Sequence, residues 1–214
     1  MVKKKKILFH SDFALSKTGF GRNAKALLSY LYKTDKYEIV SLCGGITKHH
    51  PELERTPWKS YGAAGTANEA LTSEKQRLDS YGAFEIDRVV NEEKPDIYIG
   101  VQDFWGVDYT IGKPWFDKIN SVIWTTLDSL PLLSNAVAEA PKIKNFWVWS
   151  NFAEKEMHKL GHTHVKTVHG TIEISDFRPI PPEAKASIRK KNKIEFVYYS
   201  INKKNKGYER HRKF

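Results

Sequence analysis

Cysteine is almost missing from this chain: Cys43 is the one thiol in 214 residues. A lone thiol excludes an internal disulfide framework, and its place inside a β-rich run makes it a small buried hydrophobe. Long apolar runs are missing too. None approaches the ~18–20 residues that a membrane-spanning helix requires. The basic start "MVKKKK" is followed only by "ILFH", far short of the roughly 7–15-residue apolar region of a secretory signal. The chain is therefore expected to be cytoplasmic, with no transmembrane segment. The dinucleotide fingerprint GxGxxG and the Walker sequence are absent, and no acidic residue closes a second strand where a ribose would sit, which argues against an NAD(P)-dependent oxidoreductase. His162 and His164 in "GHTHV" have no Cys, His or carboxylate partner at ligand spacing, so no metal site is expected.

Positive charge is abundant but confined. The net charge is +10. Lys3–Lys6 supply four of those charges, and the stretch from Glu183 onward holds eleven basic against three acidic residues, which leaves residues 7–182 slightly acidic. Nucleic-acid binders carry a basic face across the folded domain. Here the excess sits at the two ends, as in solvated tails, and nucleic acid is not the expected partner. The competing reading keeps the same fold but makes it a non-enzymatic α/β binding module whose basic ends attach to nucleic acid or an acidic surface.

With 40% hydrophobic and 13% aromatic residues, the chain can bury one sizeable core, or one domain and the start of another. Short β-rich runs alternate with helical patterns. "KILFH" (6–10) reads as a first strand, and Ala24, Leu27, Leu28 and Leu31 then fall on one helical face. "YEIVSLC" (37–43) reads as a second strand closed by Gly44-Gly45. Residues 46–82 are loop-rich and poorly periodic. "FEIDRVVNEE" reads as a helix with Phe84, Val89 and Val90 inward, ended by Pro95. "DIYIG" (96–100), "SVIWTT" (121–126), "FWVWS" (146–150) and "HVKTVHG" (164–170) are nearly continuous apolar or β-branched runs, as in strands covered on both faces. Asn151 with Glu154 makes a capping pair before a helix carrying Ala153, Met157 and Leu160, and Gly161 ends it. This rhythm predicts an α/β fold with a Rossmann-like, doubly wound parallel sheet. The proline-rich "FRPIPPEAK" places a boundary near Pro179–Pro182. Residues 1–180 form the main domain, and 181–214 hold a linker, a basic helix and one strand of an incomplete second domain.

In such a sheet ligands bind beyond the carboxyl ends of the strands, first of all at the first strand-to-helix turn. Gly19 and Gly21 in "TGFG" let the backbone approach a ligand there, and the helix start behind them favours an anion. In addition, "TGFGRNAKALLSYL" resembles the opening of the GT-B glycosyltransferases, specifically the large retaining family 4. "SVIWTTLDSLPLL", "FWVWSNFAEKEMHKLG", "VKTVHGTIEISDFRPI" and "FVYYSINKKNKG" are similar to later motifs of that family in the same order. The resemblance covers nearly the whole chain.

It implies transfer of a sugar from a nucleotide-sugar donor to an acceptor, with retention and without an obligatory metal or other cofactor. The acceptor, whether glycan, lipid, protein or nucleobase, is not specified. The N-terminal domain holds the acceptor, and its glycine loop, Gly19, Phe20 and Gly21, approaches the donor phosphates. Lys206 with Gly207 matches a "KG" whose lysine contacts the diphosphate, while the arginine of the family's "GR" has no clear counterpart. Asp128 stands where many members carry a histidine near the reacting sugar. It would orient a sugar hydroxyl or stabilise an oxocarbenium-like centre; a strand-end turn role is the alternative. Asp103 and Trp105 in "QDFWG" follow another strand end and face the same cleft as Thr126, with core packing the alternative for Trp105. His169 at the turn before Gly170 lines the cleft. The family's donor-side E-x7-E motif is not in the sequence, so the chain is expected to be a fragment of a longer enzyme with little activity alone.

Overall fold

The computed structural model describes residues 3–65, 72–174, 180–192, 196–202 and 207–213. The chain divides into two compact units, Met1–Glu173 and Ile174–Phe214. Lys206 and the stretch 175–179 lie outside the described residues.

The first unit runs β1 (Lys5–Asp12), α1 (Gly19–Lys33), β2 (Tyr37–Thr47), β3 (Lys59–Ala64), α2 (Ser73–Ser80), α3 (Ile86–Glu93), β4 (Ile97–Val101), α4 (Phe104–Val107), β5 (Asn120–Thr125), α5 (Ser134–Glu139), β6 (Asn145–Val148), α6 (Asn151–Lys159) and β7 (Lys166–Thr167). Its seven strands lie in the order β3-β2-β1-β4-β5-β6-β7 and every pairing is parallel. This is a Rossmann-like α/β sheet. The order reverses between β1 and β4, which opens the ligand crevice at their carboxyl ends.

The continuous apolar runs are continuous because both faces are covered. In β1, Ile7 and Phe9 point into a core completed by Ala24 and Leu28 of α1. Leu8, between them, points the other way, into the core that also holds Ile86 and Val89 of α3 and, further along the sheet, Met157 of α6. Cys43 is buried in β2, and burial pushes its thiol up to about 12. No helix among the described residues is long and apolar enough to cross a membrane.

Four local features differ from the sequence reading. β2 does not stop at Gly44-Gly45 but runs on to Thr47. The stretch read as loop contains a 3-10 turn (Pro51–Arg55), β3 and α2; α2 buries no residue, so it carries no apolar stripe to be recognised. Phe84 is 54% exposed, because α3 begins only at Ile86 and Phe84 sits in the preceding turn, outside the helical period. The cap of α6 is Ser150, whose Oγ accepts from Ala153 N at 3.2 Å. Glu154 instead accepts from Thr167 N–H at 3.0 Å and from the Thr167 hydroxyl, fastening β7.

Glu93 ties three elements at the amino ends of the strands. Its nearly buried carboxylate accepts from Lys6 Nζ (2.9 Å), Lys59 Nζ (2.5 Å) and the Tyr61 hydroxyl (2.5 Å). Burial pushes the carboxyl up, but the hydrogen bonds from Lys59, Tyr61 and Lys6 outweigh it and hold it at about 2. A depressed carboxyl stabilises the fold fully above its unfolded value and loses that contribution as pH falls through the folded one. Stability is thus expected to fall by about 2 kcal/mol as pH drops from 4.5 to 2, after discounting for half-exposed Lys59. Urea titrations across that range check this; Glu93→Gln should flatten the slope by that amount and leave the part due to other depressed carboxyls such as Glu85 and Asp87.

The second unit contains α7 (Pro182–Lys191), β8 (Phe196–Asn202) and β9 (Gly207–Lys213). α7 is the short basic helix expected there, with every residue exposed. β8 covers the expected strand but pairs antiparallel with β9, Phe196 opposite Lys213. Among the described residues it has no parallel neighbour of the kind a first Rossmann strand takes. A strand needs partners for its backbone groups, and here the nearest segment in sequence supplies them.

Candidate functional site

Asp12, the last residue of β1, stands at the reversal point of the sheet. One carboxylate oxygen accepts from Thr18 Oγ1 at 2.5 Å and the other from Gln102 Nε2 at 2.7 Å. Gln102, buried just beyond β4, accepts through Oε1 from Asp103 N at 3.0 Å. Asp103 in turn accepts from Thr126 Oγ1 at 2.5 Å. A single line of hydrogen bonds, with the backbone N–H of Asp103 as one link, therefore crosses the carboxyl ends of β1, β4 and β5 and fixes two carboxylates. Oriented polar groups of this kind, set where strands end, hold a ligand in one pose.

Two clefts lie along that line. The smaller, of about 160 Å³, is lined by Asp103, Trp105, Thr126, Leu127, Asp128 and Leu133, among others. Four side chains that the sequence placed in the cleft are thus brought together. Asp128 is exposed at its mouth. Trp105 is not core packing. It is half-buried, with Tyr81 edge-on to its ring (5.0 Å, 88°), the Arg77 guanidinium 5.4 Å over it, and Arg77 Nη1 donating to its carbonyl at 2.5 Å.

The larger cleft, of about 490 Å³, lies between the ends of β1 and β2. Asp12, Ser16, Thr47, His50, Glu52 and Tyr81 line it over a floor that includes Gly44 and Gly45. Sequence reasoning missed it. The signal it lacked was the true end of each strand: β1 runs two residues past His10, and β2 continues through its glycines.

The opening glycines do not form a loop. Gly19 and Gly21 are the first and third residues of α1, and the connection before them is 13–18. Thr18 caps the helix, its Oγ1 accepting from Gly21 N at 3.0 Å. Gly21 is buried against the 13–16 turn, whereas a side chain at Gly19 would meet nothing within 4 Å. Phe20 packs edge-on against Trp149 (5.4 Å, 75°), and Trp149 O is also the partner of His169 Nδ1 at 3.0 Å. Phe20 and His169 therefore gather around Trp149, apart from the Asp103–Asp128 cleft. His164 Nε2 meets Ala140 O at 3.0 Å, which engages that ring in packing its turn. Among the described residues no group of three or more potential metal ligands is assembled.

No protein-family model matches the sequence, and no curated protein matches it. Solved structures do match. A UDP-N-acetylglucosamine 2-epimerase aligns over 73% of this chain and 45% of its own, at 14% identity and a TM-score of 0.50. Sucrose-phosphate synthase from Thermosynechococcus elongatus aligns over 89% of this chain and 97% of its own, at 10% identity and a TM-score of 0.50. The UDP-GlcNAc 2-epimerase from Methanocaldococcus jannaschii aligns over 78% and 46%, at 16% identity and a TM-score of 0.47. The chain spans under half the length of these two epimerases. At such identities the likeness is one of fold, the Rossmann-like unit of GT-B-type proteins.

Proposed function

We propose that this chain is the acceptor-side domain of a GT-B glycosyltransferase of the family 4 kind, and that 181–214 begin its donor-binding domain. The enzyme moves a sugar from a nucleotide-sugar to an acceptor with retention and without a metal. The observation that carries this reading is the cleft joining Asp103, Trp105, Thr126 and Asp128. A carboxylate oriented by Thr126, an aromatic wall and a free carboxylate at the mouth are the groups a reacting sugar ring requires. Asp103 accepts from sugar hydroxyls, Trp105 packs on the ring, and Asp128 faces the anomeric centre as positive charge develops there.

The departing nucleotide diphosphate gains negative charge. On this reading it meets the start of α1, where the N–H groups of Gly19 and Phe20 supply donors at the positive helix end. Gly21 N is already taken by Thr18, so that glycine serves packing. The resemblance assigns the cation to Lys206, which lies outside the described residues, while His169 sits with Phe20 at Trp149, apart from the Asp103–Asp128 cleft. The chain's location is cytoplasmic.

A thermal-shift series on the 214-residue chain tests this with nucleoside diphosphates, nucleotide-sugars and a short DNA duplex at low and moderate salt. One nucleotide family, supplied at roughly a hundred times its Kd, should stabilise the fold by about 2.7 kcal/mol and keep doing so at moderate salt. Stabilisation by DNA alone that vanishes as salt rises, with a slope of about 0.9 per phosphate contacted, would replace this reading with the basic binding module.

A further inference from the structure

We infer that the larger cleft, between Asp12 at the end of β1 and Gly44–Thr47 at the end of β2, binds an uncharged polyhydroxylated ring and excludes phosphate. On the sugar-transfer reading that ring is the first unit of the acceptor; the binding claim itself does not depend on it.

The cleft is the roomier of the two at the strand ends, about 490 Å³ against about 160 Å³. Its polar lining consists of two carboxylates, Asp12 and Glu52, the His50 imidazole, and hydroxyls that include those of Ser16 and Thr47. No lysine or arginine is among the described residues that line it. Vicinal hydroxyls suit this set, because each donates to a carboxylate and accepts from a hydroxyl or imidazole. Each oxygen of Asp12 already holds one hydrogen bond, from Thr18 or Gln102, and keeps lone-pair capacity for a ligand hydroxyl. The carboxylate is thereby aimed without being saturated.

Tyr81 closes the wall and is held from behind. Its carbonyl accepts from the Tyr109 hydroxyl at 2.6 Å and from His10 Nε2 at 2.8 Å, while its ring meets Trp105 of the smaller cleft. The half-buried Tyr81 ring offers a ligand an apolar face, and the Gly44–Gly45 floor leaves room for a ring to settle on the backbone.

A phosphate would find two carboxylates and no lysine or arginine in the described lining; the Arg55 guanidinium beside Glu52 is already held by that carboxylate at 2.9 Å. The positive end of α1 offers no remedy on this side. Thr18, which caps Gly21 N–H, also donates its hydroxyl hydrogen to Asp12, so a carboxylate of the chain already stands beside that end of the helix. Gly19, whose N–H remains for a donor phosphate, is not part of the lining. The start of α1 therefore separates a phosphate side from a polyol side.

Gly44→Val tests the assignment. A Cβ at Gly44 would lie 3.5 Å from Ser80 O and 3.6 Å from Ser11 O and Tyr81 Cδ1, ordinary contact distances. Valine also suits a strand, so the fold accepts it while its methyls take up space in the cleft. The full chain is titrated by saturation-transfer NMR with methyl glucoside, methyl galactoside, methyl mannoside and myo-inositol, then challenged with inorganic phosphate and glucose 6-phosphate. At least one neutral probe should saturate, neither phosphate compound should displace it, and its Kd should rise at least about tenfold in Gly44→Val and in Asp12→Asn.

The assignment is overturned if no neutral probe binds, if phosphate displaces the probe, or if folded Gly44→Val keeps its Kd within about twofold. Should Gly44→Val fail to fold, Asp12→Asn decides by the same criterion. A parallel titration with nucleoside diphosphates separates the two claims. Polyol binding without nucleotide binding sinks the transferase reading alone, and nucleotide binding without polyol binding sinks this one alone.

Discussion

Gly21→Ala is expected to destabilise the first unit by about 2 kcal/mol, and Gly19→Ala to stabilise it by a few tenths to about 1 kcal/mol. Alanine ordinarily improves a helix, and both glycines lie in the first turn of α1. At Gly19 nothing stands within 4 Å of the added carbon, so only the gain in helix propensity remains. At Gly21 the same carbon would collide with Ser16 Oγ and come within 2.8 Å of Phe13 O and 2.9 Å of Ser16 O. Two of those three atoms are backbone, and the turn that carries them is closed by Ser16 N donating to Phe13 O at 2.9 Å. The 13–16 turn must therefore move, and it joins Asp12 to Thr18. Urea unfolding of both variants reads the difference. Equal and small effects at the two positions would mean that the turn does not lie against the helix as described.

Lowering the pH from 6.5 to 4 is expected to remove about 3 kcal/mol of stability through His10 alone. The ring is fully buried under the sheet end, and desolvation lowers its pKa to about 4 in spite of the hydrogen bond to Tyr81 O, which acts the other way. Its partners fix the tautomer: Nε2–H donates to Tyr81 O at 2.8 Å, and Nδ1 accepts from the Tyr98 hydroxyl at 2.9 Å. Between the two pKa values the unfolded chain binds a proton that the folded chain refuses, so stability is full above 6.5 and drains away towards 4. Denaturation midpoints at pH 7, 6 and 5 measure this directly. In His10→Gln the slope over that interval should vanish; a slope that persists would assign it to other groups.

The elements with strong periodicity were legible before any coordinates. β1, α1, β4, β5 and β6 carry apolar residues on the side or sides they bury, and four of the cleft residues follow from knowing that ligands sit where strands end. What was not legible depended on elements that bury little. β3 is Lys59–Ala64, where Gly62 and Ala63 are the buried residues, and α2 buries none. Neither has a stripe to read, and the wall to which α2 contributes Ser80, beside Tyr81, His50 and Glu52, went unseen with them. Gly21 shows the other limit. A glycine at a helix start reads equally as room for a ligand and as room for the chain, and only the position of the Phe13–Ser16 turn decides between them.

Asn23, 1% exposed within α1, accepts from the backbone N–H of Thr171 at 2.6 Å and from its hydroxyl at 2.8 Å, a contact that spans 148 residues. During synthesis α1 emerges early, yet the partner of its buried amide is supplied only when the end of the unit has left the ribosome. Until then an amide oxygen of Asn23 must stay hydrated or lie unpaired, at a cost of about 1–3 kcal/mol. The first helix is thereby kept from docking finally on the sheet before the last strand is present, so the unit closes as a whole and not from its beginning.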